Sequence, residues 1–134
     1  MTNSIAKGKK GEREWANFLK EHGYKDARRG QQFKGGGDSP DVVGIPGIHQ
    51  EVKRVEKLHL WESMEQSKRD AADGEIPIVV HRANRRPWIV IMDAEDFIAM
   101  RKKCEMLDIY KKNFVEQEKE QHIHMSQTTR YISG

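Results

Sequence analysis

The chain has 134 residues, of which 36 % are apolar and 34 % charged, and this suits one domain with a short appendage. No apolar run approaches the roughly 18 residues of a membrane-spanning helix, and the first ten residues lack a signal-peptide core, so we expect no membrane partner and no secretion. The single cysteine, Cys104, cannot form an internal disulfide, which is typical of a reducing, cytoplasmic environment.

Positive charge is concentrated near the start of the chain. Residues 1–37 contain nine Lys and Arg against four Asp and Glu, whereas the whole chain has a net charge of only +3. A basic surface of this kind suits a polyanion such as nucleic acid. An unevenly charged, solvated surface accounts for the charge alone equally well.

The first third of the chain predicts a helix, a short strand and a loop. Residues 8–22 place apolar side chains at helical spacing, and Gly23 follows as a stop; the apolar stripe is Trp15, Ala16, Phe18 and Leu19. Residues 24–29 are compatible with a short strand. Residues 30–39 contain three consecutive glycines and predict a loop.

Two strands joined by a tight turn are predicted next. Residues 41–45 and 48–55 have strand character, and Pro46-Gly47 lies between them. A Pro-Gly dipeptide between two strands indicates a hairpin, so we expect these strands to pair antiparallel.

The middle of the chain predicts a helix followed by two strands. Residues 60–72 read as a helix with one side formed by Trp61, Met64, Lys68, Ala71 and Ala72. Residues 76–81 form a continuous apolar run typical of a buried central strand, and residues 88–92 predict another strand. The three tryptophans, Trp15, Trp61 and Trp88, are expected in the core rather than in a ligand site.

The last part of the chain predicts a further helix that begins near Asp93 and becomes polar from Lys111 onward. We expect the compact domain to comprise residues 1–113 and residues 114–134 to form a polar tail or a helical arm. The predicted fold class is therefore α/β, with a mixed central sheet flanked by helices and a C-terminal helical extension or tail.

Glu51 and Lys53 are the first candidate site residues. Alternate side chains of a strand share a face, so the carboxylate of Glu51 and the ammonium of Lys53 project side by side. On its own this pattern is common and is also explained by an exposed charge pair.

Asp41 adds a second carboxylate to this face. In the predicted hairpin, Asp41 lies near the part of the second strand that carries Glu51 and Lys53. Two converging carboxylates suit a hard divalent cation such as Mg²⁺, and without one they repel each other. The backbone carbonyl of Val52 is an additional candidate ligand. A metal held here could activate water and polarise a phosphodiester, while Lys53 orients the water or pairs with a phosphate oxygen.

Glu12 is a candidate third acid. It falls on the same side of the first helix as Trp15 and Leu19, although burying a charge is costly. The position of Glu12 on this side is explained either by a role at the metal site or by stabilisation of the helix dipole at the edge of the core.

The ordered set of motifs resembles the PD-(D/E)xK nuclease superfamily, and within it the archaeal-type Holliday junction resolvases and phage resolvase-like nucleases. The likeness covers residues 7–92 and rests on Lys7-Gly8, Glu12-Arg13-Glu14, His22-Gly23-Tyr24, Arg28, Pro40-Asp41-Val42-Val43, Glu51-Val52-Lys53 and Ile76-Pro77-Ile78-Val79. The loop 30–39 and the extension after Met92 depart from the compact resolvases.

This resemblance implies a restriction-endonuclease-like fold and a Mg²⁺- or Mn²⁺-dependent endonuclease that cuts four-way DNA junctions as a homodimer. It implies metal support by Glu12, Asp41 and Glu51 and a catalytic role for Lys53. Flap, nicked or duplex DNA are alternative substrates. A non-catalytic DNA-binding module of the same fold is a further alternative, but such a module gains nothing from clustered acids near phosphate.

Further candidate residues lie near this site in the sequence. Gln66, on the helix after Lys53, is a candidate catalytic residue because related nucleases often carry a helical glutamine, although its helical phase is off the predicted stripe. The candidate DNA-binding cations, each of which could equally be a solubilising surface residue, are Arg28, Arg29, Lys34, Arg54 and Lys57. His49 shares the Glu51 face and is expected to be a neutral strand residue.

Overall fold

The computed structural model describes residues 4–30 and 41–132, and side chains within 6–30 and 41–127. The helices are α1 (Ser4–Glu21), α2 (Leu60–Asp70) and α3 (Ala94–Ile132). The strands are β1 (Arg28–Arg29), β2 (Val42–Val43), β3 (Ile48–Arg54), β4 (Ile76–Arg82) and β5 (Ile89–Ile91). Most of the predicted loop, including Lys34, lies outside the described residues.

The strands form one mixed sheet in the order β1-β2-β3-β4-β5. β3 and β4 are parallel over their whole length, from Ile48↔Ile76 to Arg54↔Arg82, and the other neighbours pair antiparallel. Parallel neighbours need a crossover, and α2 provides it between β3 and β4. The predicted α/β class, with a mixed sheet, flanking helices and a C-terminal helical extension, is confirmed.

The main core lies between α1 and one face of the sheet. Trp15, Ala16 and Leu19 of α1 are buried, as the apolar stripe predicts, and pack with Val42, Val52, Ile78 and Val80 of the sheet. Trp88 lies with its ring 5.1 Å from that of Trp15 and completes this side of the core. The core positions of Trp15 and Trp88 are therefore confirmed.

The packing face of α2 differs from the predicted one. Trp61 is 77 % exposed, whereas Ser63, Met64 and Ser67 are buried. Ser67 Oγ donates a hydrogen bond to the Ile78 carbonyl at 2.8 Å, and Ser63 Oγ donates one to the His59 carbonyl at 2.7 Å. Satisfied hydroxyls can be buried at little cost, and their small size lets α2 approach the sheet. The prediction that Trp61 lies on the buried face of α2 is therefore wrong.

The turn between β2 and β3 depends on glycine. Gly47 has φ +77°, which favours glycine, and Val42 pairs antiparallel with Gln50 across the turn, as the predicted hairpin requires. Gly44 has φ +122°, and a Cβ there would lie 2.5 Å from the Ala27 Cα. Both positions fix where the short β2 strand meets β3.

Residues up to Asp93 form one compact unit, and α3 belongs to a second unit, Ala94–Gly134. The predicted domain end near Asn113 falls inside α3. Several large apolar side chains of α3 are exposed, among them Phe97, Met106, Leu107, Tyr110 and Phe114. Within the described ranges, no helix is both long enough and apolar enough to cross a lipid bilayer.

Candidate functional site

The side chains of β3 alternate between α1 and α2. Gln50 faces α1, where its Oε1 accepts a hydrogen bond from Trp15 Nε1 at 2.6 Å. Lys53 faces α2, where its Nζ donates to Gln66 Oε1 at 3.3 Å. Glu51 shares the Lys53 face because strand neighbours two apart point the same way, and it is only 3 % exposed.

Asp41 lies immediately before β2 and reaches across to β3. Its Oδ2 accepts a hydrogen bond from the Val52 backbone amide at 2.9 Å, and its carboxyl lies close enough to the carboxyl of Glu51 for the two to repel each other when both are ionised. Pairing of β2 with β3 therefore brings Asp41 and Glu51 together, as the predicted hairpin requires.

The environment of Asp41 strongly disfavours its charged form. The pKa of Asp41 is raised to about 7: burial contributes most, the neighbouring Glu51 and then Glu12 contribute in the same direction, and the Val52 amide works in the opposite direction. Asp41 therefore retains a proton up to a much higher pH than an ordinary aspartate does. A bound divalent cation would remove this cost, since it favours ionised carboxylates.

Lys53 lies between Glu51 and α2. Its Nζ is 3.7 Å from Glu51 Oε1, and the lysine side chain is 29 % exposed. Lys53 is therefore positioned by Glu51 on one side and by Gln66 on the other, while its ammonium remains accessible. Gln66 reaches Lys53 because the buried face of α2 contains Ser63 and Ser67, and not Trp61.

Glu12 lies at the edge of this group. Its Oε2 accepts a hydrogen bond from Arg29 Nε at 2.7 Å, and the Glu12 side chain is 13 % exposed. The interaction of Glu12 with Asp41 is electrostatic. The predicted inward orientation of Glu12 is present, and Arg29 compensates its charge.

The donors at this site suit a hard divalent cation. Asp41 and Glu51 provide carboxylate oxygens, which Mg²⁺ prefers. The carbonyl of Val52 points to the same strand edge as its amide, and that amide contacts Asp41. The residues predicted to bind metal therefore offer oxygen ligands, and two of the acids are close to each other, as a hard divalent cation needs.

A second, overlapping group involves His49. In the described part of the chain, His49, Glu51 and Asp70 are the one set of three His, Cys, Asp or Glu side chains whose ligand atoms all lie within 4.8 Å of one another. His49 Nε2 is buried, has no hydrogen-bond partner among the residues that the structure describes, and lies 3.9 Å from Glu51 Oε2. The sequence reasoning did not find Asp70, although it lies one and two helical turns from the buried Ser67 and Ser63.

Interaction with Glu51 raises the pKa of His49, and burial opposes this effect. The imidazolium form is thus favoured beside a carboxylate, whereas metal binding requires neutral imidazole. A nitrogen ligand is also less suited to Mg²⁺ than carboxylate oxygens are. The Asp41–Glu51 pair is therefore the better site for a hard cation.

The predicted DNA-binding cations have different environments. Arg54 is held by Glu14, by the Arg82 carbonyl and by Asn84, and Arg29 is held by Glu12. Arg28 is exposed on β1, and Lys57 is exposed on the wall of a cavity that also contains Lys53 and Gln66. Arg54 and Arg29 thus have structural partners, whereas Arg28 and Lys57 remain accessible.

Lys53 lines two cavities. One has a volume of about 590 Å³ and is lined by α1, the end of β3 and Asn84. The other has a volume of about 210 Å³ and is lined by Lys53, Lys57, His59 and Gln66 among others. The larger cavity contains Lys7 and Lys10, two cations that the sequence reasoning had not placed near the site.

The chain was also compared with known families, curated proteins and solved structures. No family profile matches the sequence, and no curated protein or solved structure matches it significantly.

Proposed function

We propose that this chain is a Mg²⁺-dependent DNA endonuclease that hydrolyses phosphodiester bonds. The observation that carries the proposal is the position of the Asp41 carboxylate on the Val52 amide, beside the buried Glu51, with the Lys53 ammonium 3.7 Å from Glu51. Two neighbouring acids beside a lysine that itself lines two cavities match the chemistry that the PD-(D/E)xK resemblance implies.

Asp41 and Glu51 would hold Mg²⁺ or Mn²⁺, with the Val52 carbonyl and Glu12 as further oxygen donors. Such an ion supplies a Lewis acid for the phosphodiester and lowers the pKa of the attacking water. A bound ion would lower the raised pKa of Asp41 again, because a carboxylate binds a metal in its ionised form.

Lys53 supplies positive charge at the site in addition to that of the metal ion. Its ammonium can donate to a phosphate oxygen or orient the water, and hydrogen bonding to Gln66 restricts its rotamers. Glu12 contributes negative charge beside Asp41, and its pairing with Arg29 keeps that charge at a fixed place. Each predicted catalytic residue thereby has a distinct role.

We extend the proposal to branched DNA and to a homodimer, both on the resemblance to Holliday junction resolvases. The accessible cations near the site suit phosphate contacts in general. A cleavage assay determines which substrate the protein prefers: four-way junction, flap, nicked or duplex DNA.

The test incubates purified protein with labelled junction, flap, nicked and duplex DNA in Mg²⁺, in Mn²⁺ and in EDTA. We expect metal-dependent cleavage that Asp41→Asn and Glu51→Gln each reduce at least a hundredfold. Matched controls are Asp73→Asn and Glu65→Gln, since both residues are exposed on the same unit. The controls should cut at the wild-type rate.

Absence of metal-dependent cleavage on every substrate would refute the endonuclease proposal. Equal loss in the site variants and in the controls would assign the effect to folding or charge. Cleavage of junction and duplex at equal rates would refute the resolvase assignment and leave the nuclease chemistry intact.

A further inference from the structure

The larger cavity beside Lys53 is a groove between α1 and the end of β3, here called the α1–β3 groove. Lys7, Gly8, Lys10 and Gly11 form one wall, and residues 52–56 with Asn84 form the other. A Cβ at Gly11 would lie 2.6 Å from Arg54 Cβ, so the absence of a side chain there lets helix and strand come close. One turn earlier, a Cβ at Gly8 would meet nothing within 4 Å, so the groove is open at that point.

The groove has a net positive charge, and two of its lysines have no acidic partner among the described residues. Lys7 and Lys10 are exposed, and neither forms an ion pair or hydrogen bond with any residue that the structure describes. Of the two acids on the walls, Glu14 is paired with both Arg54 and Arg82, and Glu56 accepts a hydrogen bond from the Asn84 amide. With four cations (Lys7, Lys10, Lys53 and Arg54) against two acids (Glu14 and Glu56), the walls of the groove carry net positive charge.

The groove is continuous with the catalytic site. Lys53 and Val55 line both the α1–β3 groove and the smaller cavity that contains Lys57 and Gln66. A linear ligand could therefore pass from Lys7 and Lys10, across Lys53, to Lys57. Cations spaced along such a path suit a polyanion better than a single small anion, because each neutralised phosphate releases counterions.

We propose that the α1–β3 groove binds the phosphodiester backbone of the DNA strand that reaches Lys53, with Lys7 and Lys10 contacting its phosphates. This inference rests on the proposed nuclease function and assigns it a substrate track. Contacts of this kind position a strand without reading its sequence. Binding through the groove should therefore be strongly salt dependent and only weakly sequence dependent.

The first experiment measures binding of fluorescently labelled DNA in EDTA, so that no cleavage occurs. Lys7→Glu/Lys10→Glu is compared with Lys9→Glu/Lys25→Glu, which makes the same change in net charge at exposed lysines that do not line the groove. We expect the groove variant to bind at least tenfold more weakly, and the slope of log affinity against log salt to fall by about two. The control should lose less than about threefold in affinity.

The second experiment uses the open position at Gly8. Gly8→Ala should bind DNA like the wild type and melt no lower, since alanine favours the helix and has space. Gly8→Trp should fill the groove and weaken binding at least fivefold, while circular dichroism shows an unchanged helix content. Equal binding by the two Gly8 variants would overturn the proposal, as would equal losses in the two lysine pairs.

The outcomes separate this inference from the nuclease proposal. If the wild type cleaves DNA but the groove variants bind like their controls, the proposed role of the groove is refuted and the nuclease proposal is unaffected. If no substrate is cleaved but the groove variants selectively lose binding, the groove stands as a DNA-binding surface and the enzyme assignment fails. Tighter binding of an RNA strand of the same sequence would overturn the assignment to DNA.

Discussion

At the scale of single residues, Asp41 lies where burial and two neighbouring acids all oppose its ionisation. Its pKa is raised to about 7 from a usual 3.8, so the folded chain binds a proton that the unfolded chain releases near pH 4. The resulting stability is fully present below pH 3.8 and is lost as the pH rises through 7. Without metal, the site is therefore destabilising at neutral and alkaline pH.

The first prediction concerns this pH dependence. In EDTA, the free energy of unfolding of the wild type should fall by about 2 kcal/mol more than that of Asp41→Asn between pH 5 and pH 8. Asparagine has no proton to release, yet it can still accept the Val52 hydrogen bond. Urea denaturation at the two pH values measures the difference. Parallel pH profiles for the two proteins would contradict the raised pKa.

The second prediction concerns metal binding. A ligand that binds only the folded state stabilises it, by about 2.7 kcal/mol at a hundredfold excess over Kd. Mg²⁺ or Mn²⁺ should therefore raise the melting temperature of the wild type at pH 8 and leave Asp41→Asn and Glu51→Gln unchanged. A shift of the same size in these two variants would place the metal elsewhere, and loss of the shift in His49→Gln would assign it to the His49 group.

The third prediction separates Lys53 from Gln66. Lys53→Ala should reduce the cleavage rate by about a hundredfold or more, since it removes a charge-stabilising donor. Gln66→Ala should reduce it by about tenfold, because Lys53 keeps its charge and its contact with Glu51 but loses one of its two positioning partners. Single-turnover kinetics with saturating enzyme measures both rates, and Glu65→Ala is the neighbouring control. Equal effects of Lys53→Ala and Gln66→Ala would contradict these separate roles.

At the scale of elements, α2 packs through serine hydroxyls and leaves a tryptophan in solvent. Ser67 is fully buried, and its hydroxyl donates to the Ile78 carbonyl at 2.8 Å. A small side chain with a satisfied hydroxyl holds the helix close to β4. This closeness is also what brings Gln66 to Lys53.

The fourth prediction follows from that packing. Ser67→Ala should lower the free energy of unfolding by about 1 kcal/mol through the lost hydrogen bond, and Ser67→Leu by about 1–3 kcal/mol through overpacking. Trp61→Ala should change it by less than about 0.5 kcal/mol, since the indole is 77 % exposed. Chemical denaturation of the three variants gives the comparison, and a larger loss in Trp61→Ala than in Ser67→Leu would contradict the observed face.

At the scale of the whole molecule, the proposed homodimer is open to a direct measurement. We expect a sedimentation mass of two chains at micromolar concentration. A mass of one chain there would refute the dimer without affecting the chemistry of Asp41 and Glu51. The exposed apolar side chains along α3 have no assigned partner, and nothing in the described structure shows what covers them.

The sequence by itself determined the parts of this protein that depend on local periodicity. Helical spacing placed Trp15 and Leu19 in the core and turned Glu12 inward, strand alternation put Glu51 and Lys53 on one face, and Pro46-Gly47 predicted the turn that brings Asp41 alongside. These features follow from residues that are close in the chain, so a fixed repeat or a single turn is enough to define them.

Tertiary structure alone decided the contacts between elements distant in sequence. The Arg29–Glu12 pair, the Gln66–Lys53 hydrogen bond and the groove between Lys7 and the end of β3 each join separate elements. The face of α2 could not be predicted, because buried hydroxyls make small polar residues suitable for a core and the hydrophobic pattern does not show them. The residues of the candidate site were thus readable from the chain, whereas their partners and the path of a ligand to them required the fold.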